Sequence, residues 1–304
     1  MVEPKLCSYE DFPESAASCE GMESMKLDPV KSVFINDGLI YRHADGTDLR
    51  MYIIDPAPAM PGMPHEPLPC VVYINGSAWF QQMLLQNAAQ LAVFAKRGYI
   101  IAMPEYRHSG IASFPAQAID AKEAIRYVKK HSAELGVDPG RVVIWGDSSG
   151  GHTSLMAGIT GEDIFPGDAD PETDCRVRCI VDFFGPTQVD LMSDEHSIMD
   201  HATAESPEGR FLGNVDVLEN RDLAIKAAPQ TYVTKDREIP PILIVHGTKD
   251  RLVPFAQSVH LANRLREEEK EFRFIRLEGA DHGSGEFWCP EMYDIVDGFI
   301  RKYI

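Results

Sequence analysis

The sequence predicts an α/β fold: a mostly parallel sheet covered by helices on both faces. Three observations carry the prediction. Short apolar runs of strand length recur along the chain. Helix-periodic segments alternate with them, as crossover connections between parallel strands require. One long polar segment interrupts the alternation without ending it.

The elements follow in order. Val33 to Tyr41 and Leu49 to Ile54 read as strands, with Asp45-Gly46 in the turn between them. A proline-rich stretch from Pro56 to Pro69 reads as a linker-like loop. Cys70 to Ile74 (CVVYI) is a buried strand, Leu84 to Arg97 a helix ended by Gly98, and Tyr99 to Met103 the next strand. Pro115 to His131 is a helix with Ala118, Ala121, Ala124, Ile125 and Val128 on one face. Arg141 to Trp145 is a strand, Ser149 to Ile159 a helix, and Cys179 to Phe184 and Pro241 to Val245 are strands. Phe255 to Glu269 is helical, Phe272 to Leu277 a strand, and Glu291 to Ile304 a closing helix. The predicted organisation is one domain over 1–304, with residues 1–25 as a loosely ordered arm. Residues 185–238, polar and acidic between two core strands, form a predicted cap of short helices over the site.

Composition narrows the function. Acidic residues outnumber basic ones, 47 to 29, for a net charge of −18. Such a surface repels phosphate backbones and argues against a nucleic-acid partner. The six cysteines are scattered and complete no zinc set, so they read as reduced structural thiols. Met1 to Met25 lacks the apolar core of a signal peptide, and no run is long enough to span a membrane. The expected location is the cytoplasm, with no membrane partner. Nothing in the sequence indicates an oligomeric state.

The strongest local signal is Gly146-Asp147-Ser148-Ser149-Gly150, a G-x-S-x-G pentapeptide between the strand RVVIW and a helix. In that context the glycines allow a sharp strand-to-helix turn that pushes the central serine outward. Ser148 is therefore the predicted nucleophile. A serine hydroxyl needs a base, and the base an orienting acid, in the order Ser, acid, His. Asp250 follows the strand PILIV and His282 follows the strand FRFIRL, so all three lie at the carboxyl edge of the sheet. His246 precedes the acid, His152 lies beneath the turn, and Asp281 adjoins His282 and reads as a turn-shaping residue. The Ser149 N–H is a predicted donor to an oxyanion, with further donors expected from the loop Asn75-Gly76-Ser77-Ala78-Trp79.

With that loop, the chain resembles the α/β-hydrolase esterases of the acetyl-esterase, feruloyl-esterase and hormone-sensitive-lipase-like group. Glu105-Tyr106-Arg107, GDSSGGH at Gly146 to His152, Phe184-Gly185-Pro186-Thr187, Phe211-Leu212-Gly213 and PPILIVHGTKDRLVP at Pro240 to Pro254 add to the resemblance. The family loop is H-G-G-G or H-G-G-x-W; here Asn75 stands for His, and Ser77 and Ala78 for Gly. Ser77 and Ala78 can still donate through their backbone N–H groups, but any of these positions that needs φ > 0 is strained. The resemblance implies a serine carboxylic-ester hydrolase without cofactor or metal, acting on short acyl or aryl-acyl esters, including carbohydrate-linked ones. Trp79 is a candidate pocket residue. An amide hydrolase, such as an arylformamidase or a peptidase domain, is a second reading. A non-catalytic binding module is a third, disfavoured because all three residues of the constellation are present.

Overall fold

Alternation inside the apolar runs decides how the sheet is buried. In the run CVVYI, Cys70, Val72 and Ile74 enter one apolar cluster, while Val71 and Tyr73 enter another on the opposite face. The runs RVVIW and ILIV split the same way: Val142, Ile144, Ile242 and Ile244 on one side, Val143, Trp145, Leu243 and Val245 on the other. Strands apolar on both faces must be covered on both faces.

The computed structural model describes residues 7–8, 11–27, 32–56, 66–167 and 172–304. The strands are β1 (Phe34–Ile35), β2 (Leu39–Ala44), β3 (Thr47–Asp55), β4 (Leu68–Ile74), β5 (Ile100–Pro104), β6 (Val137–Asp147), β7 (Ile180–Phe183), β8 (Ile242–Gly247) and β9 (Phe272–Leu277). The α-helices are α1 (Ala88–Ala95), α2 (Ala116–Lys130), α3 (Ser132–Leu135), α4 (Ser149–Thr160), α5 (Pro207–Phe211), α6 (Arg221–Lys226), α7 (Ala256–Glu267) and α8 (Pro290–Arg301). The sheet runs β1-β3-β5-β4-β6-β7-β8-β9, with β2 also paired to β3. Pairs involving β3 are antiparallel and the rest are parallel. Residues of α2, α4 and α7 pack on one face; residues of α1 and α8 pack on the other.

Two compact units divide the chain, Met1–Val30 and Lys31–Ile304. The described residues of the first carry no helix or strand and are all exposed. Within the described residues no helix is long and apolar enough to cross a membrane. Cys70, Cys175 and Cys179 are buried free thiols.

Several boundaries differ from the sequence reading. The run expected as one strand from Val33 to Tyr41 breaks at Gly38, whose φ is +82° and whose missing side chain leaves room for the Tyr52 ring. The Asp45-Gly46 turn closes a two-residue hairpin, both residues at positive φ (49° and 74°) as a type I′ turn demands. The helix expected from Leu84 begins only at Ala88. Of the proline-rich stretch, 57–65 lie outside the described residues, and Leu68 and Pro69 already belong to β4. β6 starts four residues earlier than the run RVVIW, at Val137, because Leu68 pairs with it.

Candidate active site

Ser148 sits between β6 and α4 with φ +54° and ψ −127°. A residue with a side chain is rarely held at such a φ, so the surrounding packing must impose it. The packing here is very close. A Cβ on Gly150 would lie 1.9 Å from the Ile74 carbonyl oxygen, and one on Gly146 would lie 2.2 Å from the Gly150 oxygen. Glycine at both positions lets α4 start directly against β4 and β6, which turns the Ser148 side chain outward.

The parallel sheet brings the three predicted side chains together. Ser148 Oγ lies 3.0 Å from His282 Nε2, and His282 Nδ1 lies 2.7 Å from Asp250 Oδ2. A carboxylate accepts only, so His282 Nδ1 carries the hydrogen and Nε2 is free to accept from the serine hydroxyl. Asp250 has a second partner that sequence reasoning missed. The fully buried His246 Nε2 lies 3.2 Å from the same Oδ2 and 3.1 Å from the Val253 carbonyl oxygen. The Leu252 and Val253 N–H groups donate to Asp250 Oδ1, each at 2.9 Å. Burial opposes ionisation of Asp250, but its hydrogen bonds to His246 and His282 outweigh burial and hold its pKa well below the usual carboxylate range. The available signal for His246 is its position, the last strand residue but one and four before the acid.

Asp281 faces away from this chain of bonds. Its Oδ1 accepts from the His282 N–H at 2.8 Å and the Arg251 N–H at 3.1 Å, and its Oδ2 accepts from Arg251 Nε at 2.7 Å. It ties the loop after β9 to the loop after β8.

The loop Asn75–Trp79 is fastened to the turn from below. Asp147 Oδ1 accepts from the Tyr73 hydroxyl at 2.6 Å and the Gly76 N–H at 3.0 Å. The Ser77 N–H donates to Ser149 Oγ at 2.9 Å, and Tyr106 of the Glu105-Tyr106-Arg107 motif contacts both Ser77 Oγ (2.8 Å) and Ser149 Oγ (3.2 Å). This corrects the expectation for Ser77: its N–H is committed to the neighbouring serine rather than open to an oxyanion. Among the described residues, no acceptor takes the Ala78 or Ser149 N–H. Ala78 and Trp79 both hold positive φ, 53° and 57°, so the glycine-like conformation persists at Ala78, though not at Ser77, and extends to Trp79.

Trp79 contributes to the cavity wall, yet its side chain is buried. The ring stacks on Phe211 at a centroid distance of 4.3 Å, and Nε1–H donates to His152 Nδ1 at 3.3 Å. Indole only donates, so His152 accepts at Nδ1 and gives its Nε2–H to the Ala227 carbonyl oxygen at 2.7 Å. Burial lowers the His152 pKa to about 4 and keeps the ring neutral.

A cavity of about 400 Å³ opens above Ser148. One wall is Ser77 to Trp79; another comes from the segment 185–238, through Pro186, Met199, His201, Pro207 and Glu208. That segment holds α5, α6 and 3₁₀ turns at Val189–Asp194 and Pro229–Tyr232. Ser206 caps α5 by accepting from the Gly209 N–H at 3.0 Å, with Pro207 at the first helical position. The Ser-Pro pair was a legible helix start, but Glu208 behind it carried no signal of its place in the cavity. A larger hollow of about 700 Å³, lined in part by Ile198, Lys249, Arg251 and Phe255, does not include Ser148 or His282.

The BD-FAE family model matches residues 59–265. The chain belongs to that family. It is similar to the probable carboxylic ester hydrolase LipM of Mycobacterium tuberculosis, 31% identical over 204 residues, covering 67% of this chain and 46% of that protein. It is also similar to the esterase LipC of the same organism, 27% identical over 249 residues, covering 78% and 56%. The chain thus spans about half the length of these curated relatives. A truncated carbohydrate esterase from gut microbiota superposes with a TM-score of 0.75 at 29% identity, over 89% of this chain and 96% of that one. The esterase Est2 of Thermogutta terrifontis, at 24% identity and a TM-score of 0.69, shares the fold. The BD-FAE chain described here has the α/β-hydrolase fold.

Proposed function

We propose that this BD-FAE chain is a serine hydrolase of carboxylic esters, with Ser148 as nucleophile, His282 as base and Asp250 as orienting acid. The single observation that carries the reading is the continuous relay from Ser148 Oγ through His282 to Asp250, at 3.0 and 2.7 Å. His282 takes the serine proton as Oγ attacks the ester carbonyl, and then delivers it to the leaving alcohol. Asp250, already ionised, stabilises the imidazolium between those steps. Water repeats the cycle on the acyl-enzyme. The negative oxygen of the tetrahedral intermediate is served by the Ala78 and Ser149 N–H groups, whose hydrogens have no acceptor among the described residues.

A cavity of about 400 Å³ suits short acyl or aryl-acyl esters, and similarity to a carbohydrate esterase supports esters on sugars. The segment 185–238 acts as the cap that sets acyl preference; its residues at the cavity wall support this. Ser148→Ala should reduce turnover of 4-nitrophenyl acetate by about a million-fold. The companion measurement is mass-spectrometric mapping of a fluorophosphonate probe. Labelling at any residue other than Ser148 refutes the assignment.

A further inference from the structure

We propose that Glu208, steadied by His201, accepts a hydrogen bond from a substrate hydroxyl in the cavity above Ser148. The inference rests on the ester-hydrolase reading and adds to it a residue that selects the substrate.

Both side chains belong to the segment 185–238, line the cavity together with Ser148 and His282, and are 3% exposed. His201 Nδ1 lies 3.0 Å from Glu208 Oε2, within ion-pair distance. The far side of the ring fixes its protonation. His201 Nε2 lies 2.9 Å from the Leu252 carbonyl oxygen, which can only accept, so Nε2 carries a hydrogen. Nδ1 and Oε2 would then be two acceptors in contact unless a proton lies between them. Burial opposes a charged ring, but Glu208 outweighs it and raises the His201 pKa, so the proton stays on the pair. With one proton held between Nδ1 and Oε2, the pair is neutral overall.

The second carboxylate oxygen, Oε1, has no partner among the described residues. Glu208 lines the cavity and its Oε2 is sealed from solvent, which leaves Oε1 as the oxygen able to accept from a molecule bound there. An oxygen open to the cavity and without a protein partner takes its hydrogen from whatever occupies that space, water or a substrate group. Because the pair as a whole carries no net charge, it suits a neutral donor better than a cation. The chemistry that fits is a hydroxyl group. It can come from the alcohol half of the ester, as in a sugar, or from a phenolic acyl half.

Two matched substrate pairs separate those sources: trans-2-hydroxycyclohexyl acetate against cyclohexyl acetate, and methyl 4-hydroxycinnamate against methyl cinnamate. The readout is the ratio of kcat/KM within each pair, for the full chain and for Glu208→Met and Glu208→Gln. The expected result is a preference of about tenfold or more for the hydroxylated member of one pair. Glu208→Met should abolish that preference, and Glu208→Gln, which keeps an oxygen but not the charge, should weaken it severalfold. The pair that responds identifies which half of the ester carries the hydroxyl. Hydrolysis of the esters with ratios unchanged in Glu208→Met overturns the inference and leaves the ester reading intact. If Glu208→Met does not fold, an unchanged ratio in Glu208→Gln overturns it equally. Failure of the unaltered chain to hydrolyse any of the four esters overturns both.

Discussion

The carboxyl edge of the sheet and the segment 185–238 both contribute to the cavity above Ser148, but they are built on different principles. At the sheet edge, β6, β8 and β9 are held in register by parallel pairing, and the side chains just past their ends meet because the strands are neighbours through β7. In the segment 185–238, short helices converge around a small apolar cluster of Trp79, Val189, Phe211, Leu212 and Val217. Its cavity-facing groups, His201 and Glu208, have no regular lattice to set their spacing. Backbone regularity thus fixes the groups assigned to bond cleavage, and side-chain packing fixes those assigned to recognition.

If that division is right, substitutions at the sheet edge should remove activity without unfolding the protein. After the loss of the nucleophile itself, the largest such effect belongs to Asp250→Asn. It should cost roughly ten-thousand-fold in turnover, by removing the partner that keeps the proton on His282 Nδ1. Asp281→Asn should cost only a few-fold, since Asp281 bonds Arg251 and the His282 backbone rather than the ring. Steady-state kinetics and melting temperatures of both variants, measured side by side, check this. The reverse ranking would break the assignment of Asp250.

The segment 185–238 should respond the opposite way, losing stability first. Phe211 is fully buried and stacked on Trp79. Phe211→Ala should cost about 3–5 kcal/mol, read by urea unfolding. Proteolysis should then begin within 185–238 rather than in the sheet. Uniform destabilisation would show that the two regions form one cooperative unit.

His152 joins the regions and makes their link sensitive to acid. Its pKa is lowered from 6.5 to about 4 by burial, so the unfolded chain binds the proton more readily than the folded one. The stability held by the neutral ring is present in full above pH 6.5 and is lost as the pH falls from there toward 4. The loss amounts to at most about 3 kcal/mol. His152→Gln should flatten this part of a plot of stability against pH; an unchanged slope would assign the titration to another group. A smaller effect is expected for Ser149→Ala, which frees the Ser77 N–H from its bond to Ser149 Oγ. Turnover should change by about tenfold or less, in line with one neutral hydrogen bond.

How much of this was legible in the sequence follows the same division. Strand β9 lies where its apolar run predicts, at Phe272 to Leu277, and the order of Ser148, Asp250 and His282 along the predicted strands already implies a common edge. Periodicity and turn chemistry are local properties, so a sequence carries them openly. The helix expected from Leu84 starts late because the chain first makes tight turns, Gln86 N–H to the Met83 carbonyl at 2.8 Å and Ala88 N–H to the Leu85 carbonyl at 3.1 Å, while Asn75 Nδ2 also holds the Met83 carbonyl at 3.0 Å, a contact that only the folded chain creates. The commitment of the Ser77 N–H to Ser149 Oγ, the bond from His246 to Asp250 and the meeting of His201 with Glu208 were hidden for the same reason. Each joins groups whose neighbourhood is set by tertiary packing and leaves no periodic trace.

Ala78 and Trp79, held in succession at positive φ, bear on how this protein tolerates change. A left-handed backbone costs a residue with a side chain about 1–2 kcal/mol. Ala78→Gly would release that strain and at the same time widen the range of shapes the loop samples when the cavity is empty. The present chain instead holds the Ala78 N–H on a stiff arch, wedged by the Trp79 ring under Phe211. Two opposing changes, less strain and less order, therefore meet at one position. A lineage drifting through glycine there would exchange a fixed donor for a flexible one while barely moving its melting temperature.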